Sequence, residues 1–189
     1  EGGAGGGRDI EDVRSKLAVM GYGIAFDRLL RRIGDAGGEV PLTSELALDL
    51  YTDLFAPSIE AGLIPANDLR GWRSGPVFIR ETLYVPPGAA KVPAMLDLMC
   101  EELGEIGYGQ GMLRGILVHL WFVWVHPVPD GNGRTARFLM NTAFLGGGLP
   151  WLTIRVERRD EYFATLRSAQ LDEDFAPFAR FILRSATPG

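Results

Sequence analysis

The chemistry of this chain is concentrated in twelve residues. His126-Pro127-Val128-Pro129-Asp130-Gly131-Asn132-Gly133-Arg134-Thr135-Ala136-Arg137 holds one His, one Asp, one Asn and two Arg around two Pro and two Gly. An apolar run, Ile116 to Val125, ends just before it, and a helical pattern from Arg134 to Leu145 begins at its far end. A helix N-terminus offers backbone N–H groups without partners and the positive end of a dipole. Gly131 and Gly133 leave those groups bare of side chains. Arg134 and Arg137 stand three apart on the first turn, where guanidinium groups grip phosphate oxygens two at a time. Asp130 is a hard oxygen ligand of the kind that holds Mg²⁺ beside substrate phosphates. His126 carries an imidazole whose ordinary pKa of about 6.5 suits a general base. Taken singly, each has a plainer reading: a helix cap, a turn, a solvated helix face. Together, at this spacing, they describe a phosphate site with a base beside it.

The rest of the sequence must position that loop. Helical spacing is expected from the acidic start at Asp9-Ile10-Glu11-Asp12 to Ile33, from Pro41-Leu42-Thr43-Ser44-Glu45 to Phe55, and from Val92-Pro93 to Leu103. It is expected again over about 111–125, 134–145, 158–168 and 174–184. Residues 57–75 read as loop. Val77-Phe78-Ile79 and Thr82-Leu83-Tyr84-Val85 are two β-prone runs around the pair Arg80-Glu81, which suggests a hairpin. The fold expected is all-α, a helical bundle with one short β-hairpin flap. Residues 1–8, rich in glycine, read as a flexible leader and 9–189 as a single domain.

Composition sets the limits. The 189 residues suit one domain and need no staple for stability. A hydrophobic share of 47% excludes a disordered chain. The single cysteine, Cys100, excludes a disulfide framework and is expected to be buried and inert. A net charge of -5 argues against a dedicated nucleic-acid binder. The run Ile116–Val125 is too short to cross a bilayer, so a soluble, cytoplasmic protein with no membrane partner is expected. All but two of the 19 basic residues, Lys16 and Lys91, are arginine, which is lineage bias or a taste for anions.

Residues 126–137 resemble the signature of the Fic family, His-x-Phe-x-Asp-Gly-Asn-Gly-Arg-x-x-Arg, with Val128 in place of the usual Phe. Gly71-Trp72-Arg73, Tyr84-Val85-Pro86-Pro87 and the pattern Arg159, Glu161, Tyr162, Leu166 carry the likeness along the chain. The resemblance implies a protein adenylyltransferase, which moves AMP from ATP to a Ser, Thr or Tyr hydroxyl of a target protein and releases pyrophosphate. It implies His126 as general base and Asp130 as the Mg²⁺ ligand. Gly131, Asn132 and Gly133 become an anion cradle, with Asn132 also orienting the phosphates. Arg134 clamps the β-phosphate and Arg137 meets the γ-phosphate. Val77, Phe78, Ile79, Thr82, Leu83 and Tyr84 become a flap that pins the target by strand addition, and Tyr162 a candidate wall of the adenine pocket. His119, two helical turns before His126, is expected to be a hydrogen-bonded core residue.

Some members of the family are restrained by a helix ending in Glu-Gly, whose Glu pairs with the second motif arginine. Glu1-Gly2 offers such an ending, with the rest of that motif missing, and linker is the equal alternative. A fragment freed of restraint is expected to modify itself, and homo-oligomers stay open. The alternatives are removal of AMP by the same site and a non-catalytic nucleotide-binding module. Phosphoryl transfer, as in the toxin branch of the family, is disfavoured by Gly133 and Arg134.

Overall fold

The structure is a computed structural model and describes residues 5–79 and 82–186; the side chains of 5–9 are outside that description, as is Glu1. Among the described residues seven α-helices follow in chain order: α1 (Gly5–Asp35), α2 (Ser44–Glu60), α3 (Val92–Gly104), α4 (Gly111–Val125), α5 (Asn132–Gly146), α6 (Arg159–Leu171) and α7 (Ala176–Ala186). No strand is present among the described residues.

The helices at the centre are α4 and α5. Ten of the fifteen residues of α4 are buried, which its nearly unbroken apolar sequence requires. Around this pair, α1 and α2 pack together on α5, while α6 and α7 pack together on α4. The α3 helix lies against α4 and α2. Phe122 of α4, Phe138 and Phe144 of α5, and Phe178 and Phe181 of α7 are the largest fully buried side chains. The start of α4 approaches the end of α5 closely: a Cβ on Gly111 would lie 2.8 Å from the Gly147 Cα. Any larger residue there would push the two central helices apart.

The sequence expectations need three corrections. First, α1 begins at Gly5, inside the stretch read as leader. Extending an existing helix by a turn costs far less than nucleating one, so poor helix formers can be carried along. Second, α2 continues through Pro57 to Glu60, where a loop is expected. Thr43 caps its start, the hydroxyl oxygen accepting the Leu46 N–H at 3.2 Å. Third, the flap runs carry no β-ladder among the described residues, and the turn pair at 80–81 lies outside them. A lone two-stranded hairpin is marginal in water. The runs nevertheless alternate: Val77, Ile79, Thr82 and Tyr84 are half-buried, while Phe78, Leu83 and Val85 are exposed. Tyr84 anchors the second run, its hydroxyl donating to the Trp124 carbonyl at 2.8 Å.

No helix is long and apolar enough to cross a membrane among the described residues. Cys100 is half-buried rather than buried, 3.8 Å from the Ser44 hydroxyl, and burial pushes its thiol pKa up. That favours the unreactive thiol form, as expected.

Candidate active site

The site starts where α4 stops. His126 ends the helix in the left-handed conformation, φ 52° and ψ 58°, its N–H donating to the Phe122 carbonyl at 2.9 Å. A residue with a Cβ pays roughly 1–2 kcal/mol for that conformation, so the surroundings must impose it. Arg73 does so. Its Nε donates to the His126 carbonyl at 2.8 Å, and Nη2 reaches the carbonyls of Val125 and Pro87. Nη1 donates to the Gly75 carbonyl at 3.0 Å, and the Arg73 backbone N–H to Pro127 at 2.8 Å. A buried cation thus sits at the negative end of α4, where the helix dipole favours it. The same guanidinium ties down both feet of the flap.

The imidazole is oriented as well. Nδ1 lies 3.3 Å from the Val123 carbonyl. A carbonyl only accepts, so Nδ1 carries the proton and Nε2 keeps its lone pair. Burial, helped by the charge of Arg73, holds the His126 pKa below the ordinary imidazole value. The ring is therefore neutral, and basic at Nε2, at neutral pH.

The loop to α5 is folded from within. Val128 is fully buried, and the Asn132 carboxamide brackets it. The Val128 N–H donates to Asn132 Oδ1 at 3.1 Å, and Asn132 Nδ2 donates to the Val128 carbonyl at 2.7 Å. The Asn132 carboxamide thus braces the loop that precedes α5. Each end of that side chain makes one bond within the loop, and the residue is 2% exposed. Asp130 Oδ1 accepts the Gly131 N–H at 2.6 Å, and Oδ2 stands 3.4 Å from Arg134. Gly131 has φ +84°, and a Cβ on it would come within 2.7 Å of the Phe55 ring. Gly131→Ala is expected to cost roughly 1–3 kcal/mol through strain and overlap, read as a lowered midpoint in urea with an unchanged slope. Arg134 lies over that same Phe55 ring, 4.6 Å from its centroid.

These parts share one cleft of about 980 Å³. His126, Asp130, Gly131, Asn132, Gly133, Arg134, Arg137 and Tyr162 all line it, together with Phe78, Ile79 and Thr82 of the flap. Val77, Leu83 and Tyr84, also expected in the flap, do not. The α6 helix adds Arg159, Phe163, Leu166, Arg167 and Gln170. Among the described residues of the cleft, four arginines thus face one carboxylate, Asp130, in a chain that is acidic overall. Spacing along α6 could have flagged Phe163, Leu166, Arg167 and Gln170 as one helical face; Arg73 gave no such signal. Tyr162, the candidate adenine wall, is 3% exposed, and its hydroxyl lies 2.9 Å from His119 Nε2. His119 is the hydrogen-bonded core residue expected.

Comparison with known proteins agrees with this geometry. The Fic/DOC family model matches residues 41–144, from just before α2 to the last turn of α5. The chain belongs to the Fic/DOC family. Protein adenylyltransferase fic-1 of Caenorhabditis elegans is 44% identical over 71 residues, 38% of this chain and 14% of that protein. Protein adenylyltransferase Fic of Nematostella vectensis is 34% identical over 117 residues, 60% of this chain and 26% of that protein. The chain therefore spans about a quarter or less of these Fic relatives. Among solved structures, a fragment of Fic-1 from Caenorhabditis elegans superposes with a TM-score of 0.64 at 25% identity, covering 89% of this chain and 48% of that one. A Fic domain protein from Bacteroides thetaiotaomicron, at 18% identity, shares the fold with a TM-score of 0.68, covering 88% of this chain and 66% of that one. Both curated relatives are named protein adenylyltransferases.

Proposed function

We propose that this Fic domain, residues 9–189, transfers AMP from ATP to a Ser, Thr or Tyr hydroxyl of a protein substrate. One observation carries the proposal: a neutral imidazole with a free Nε2 shares its cleft with the bare N-terminal amides of α5 and four arginines. His126 Nε2 takes the proton of the target hydroxyl as the oxygen attacks the α-phosphorus. The bond from that phosphorus to the bridging oxygen breaks, and pyrophosphate leaves with the electron pair. Negative charge grows on the phosphates, where the backbone N–H groups of Asn132 and Gly133 and the Arg134 and Arg137 side chains are already in place. The exposed apolar row of Phe78 and Leu83 offers the target a surface beside the cleft.

Asp130 fits the role of Mg²⁺ ligand as a single hard oxygen. Its side chain is 79% exposed, and no group of three or more acidic, His or Cys ligands exists among the described residues. A Mg²⁺ ion there would complete its shell from phosphate and water and offset charge on the departing pyrophosphate.

The lowered pKa of His126 sets the pH dependence. Protonation removes the base, so kcat/KM is expected to fall on the acid side, with its midpoint below about 6.5. A midpoint at or above that value would contradict the assigned state. The reaction type is tested by labelling ATP at either the α- or the γ-phosphate and incubating it with the protein and a lysate. AMP transfer predicts label in protein from the α-position alone; label from the γ-position would mean phosphoryl transfer.

A further inference from the structure

The ring of Phe55 lies against the start of α5. It belongs to α2 and is 6% exposed. Its rim meets Gly131, the N-cap of α5: a Cβ there would lie 2.7 Å from Cε2 and 3.1 Å from Cζ of the ring. Its face meets Arg134, whose guanidinium carbon lies 4.6 Å from the ring centroid. One side chain from another helix thus touches both the loop and a cation of the cleft. The ring is itself fixed. Tyr51, one turn earlier on α2 and 3% exposed, packs edge-on against it with 5.1 Å between centroids.

Arg134 has two partners, and they differ in kind. Asp130 Oδ2 stands 3.4 Å away on a side chain that is 79% exposed. An ion pair of that length, open to water on one side, contributes little. The same carboxylate is also the oxygen on offer to Mg²⁺. Phe55 is buried and uncharged, and the Arg134 side chain is only 24% exposed, so the attraction of the cation to the ring face is weakly screened. An arginine gripping a phosphate gives up rotamer freedom, and a ring that holds it beforehand removes part of that loss.

We infer that Phe55 is a positioning residue that acts through Arg134: its ring holds the guanidinium beside the N-terminus of α5, where the departing phosphates of the nucleotide bind. The inference rests on the proposed function, in which Arg134 meets those phosphates. It also gives position 131 a second reason to be glycine, since a side chain there would meet the ring.

The test is calorimetric binding of Mg²⁺–ATP and of AMP to one set of variants. Phe55→Leu keeps an apolar filler and removes the aromatic face. It is expected to weaken ATP about three- to tenfold and AMP less than about twofold, because AMP lacks the departing phosphates. In an Arg134→Ala background the same change should leave ATP affinity within about twofold, as for groups that act as one unit. Phe55→Met, a flexible filler without a ring, should behave as Phe55→Leu does. A readout on the wild-type protein is independent of how the variants fold. In NMR spectra of the arginine side chains, the Arg134 Nε–H and δ-methylene protons, identified as the signals missing from Arg134→Ala, should be displaced upfield by the ring. Arg134 signals at ordinary arginine positions would overturn the inference. So would ATP affinity unchanged in Phe55→Leu, equal weakening of ATP and AMP, or a loss that adds in full to that of Arg134→Ala. Wild-type protein that shows the displaced Arg134 signals but binds neither nucleotide would overturn the proposed function itself, a result distinct from any of these.

Discussion

His126→Ala is expected to lower the rate of AMP transfer by about 10²- to 10⁴-fold while leaving ATP affinity within about twofold. The size follows from the role: the imidazole holds no phosphate and only removes a proton as the oxygen attacks. Its Nδ1 is fixed by the Val123 carbonyl and its backbone by Arg73, so the ring arrives with Nε2 already facing its task. Alanine meets the same left-handed backbone at position 126 as histidine does, and fold stability should change by less than about 1 kcal/mol. Single-turnover transfer, set beside calorimetric ATP binding, separates the two effects. A variant that lost affinity and rate in equal measure would instead make His126 a nucleotide ligand.

The second large effect is expected at a residue that touches no reacting atom. Arg73 is 6% exposed, and its guanidinium donates to four carbonyls: two at the end of α4 and one at each foot of the flap. Removing it strands those acceptors in the interior and opens a cavity. Each buried unsatisfied group costs roughly 1–3 kcal/mol, partly relieved by water and relaxation, so Arg73→Ala should cost about 3 kcal/mol in all. At this chain length that is a drop of roughly 6–12 °C in Tm. Below the new Tm, transfer should still fall at least about tenfold, because nothing then holds the His126 carbonyl. Arg73→Lys keeps the charge but not the planar fork, and should recover only part of either loss. A Tm unchanged in Arg73→Ala would refute the clamp.

The cleft's chemistry was legible because the loop from His126 to Arg137 is local. The residues that carry it are consecutive, and the helix boundaries flanking it follow from Pro, Gly and apolar spacing. What supports that loop was not legible, since its contacts are distant in sequence. Arg73 reaches residues 52 and 53 positions later, and Tyr162 meets His119 across 43. No period or motif links such positions. Asn132 illustrates a subtler point. Its place in the motif suggested a ligand, but a carboxamide with a donor and an acceptor also fits a backbone that presents one of each, as Val128 does. Pro57 misled in the opposite direction: α2 continues through it to Glu60 despite the one helical N–H that proline lacks. The acidic balance of the whole chain concealed the four arginines of the cleft, because three-dimensional packing gathers Arg159 and Arg167 from α6 beside Arg134 and Arg137 from α5.

The central claim is a covalent one, and mass spectrometry of the product tests it most directly. The protein is incubated with Mg²⁺–ATP and a lysate, with the His126→Ala variant in parallel. The account predicts modified proteins, this chain among them where it modifies itself, that carry one AMP on a Ser, Thr or Tyr side chain. Those modifications should be missing from the His126→Ala sample. A phosphate in place of AMP, an AMP that forms equally without His126, or ATP binding with no modified protein at all would contradict it.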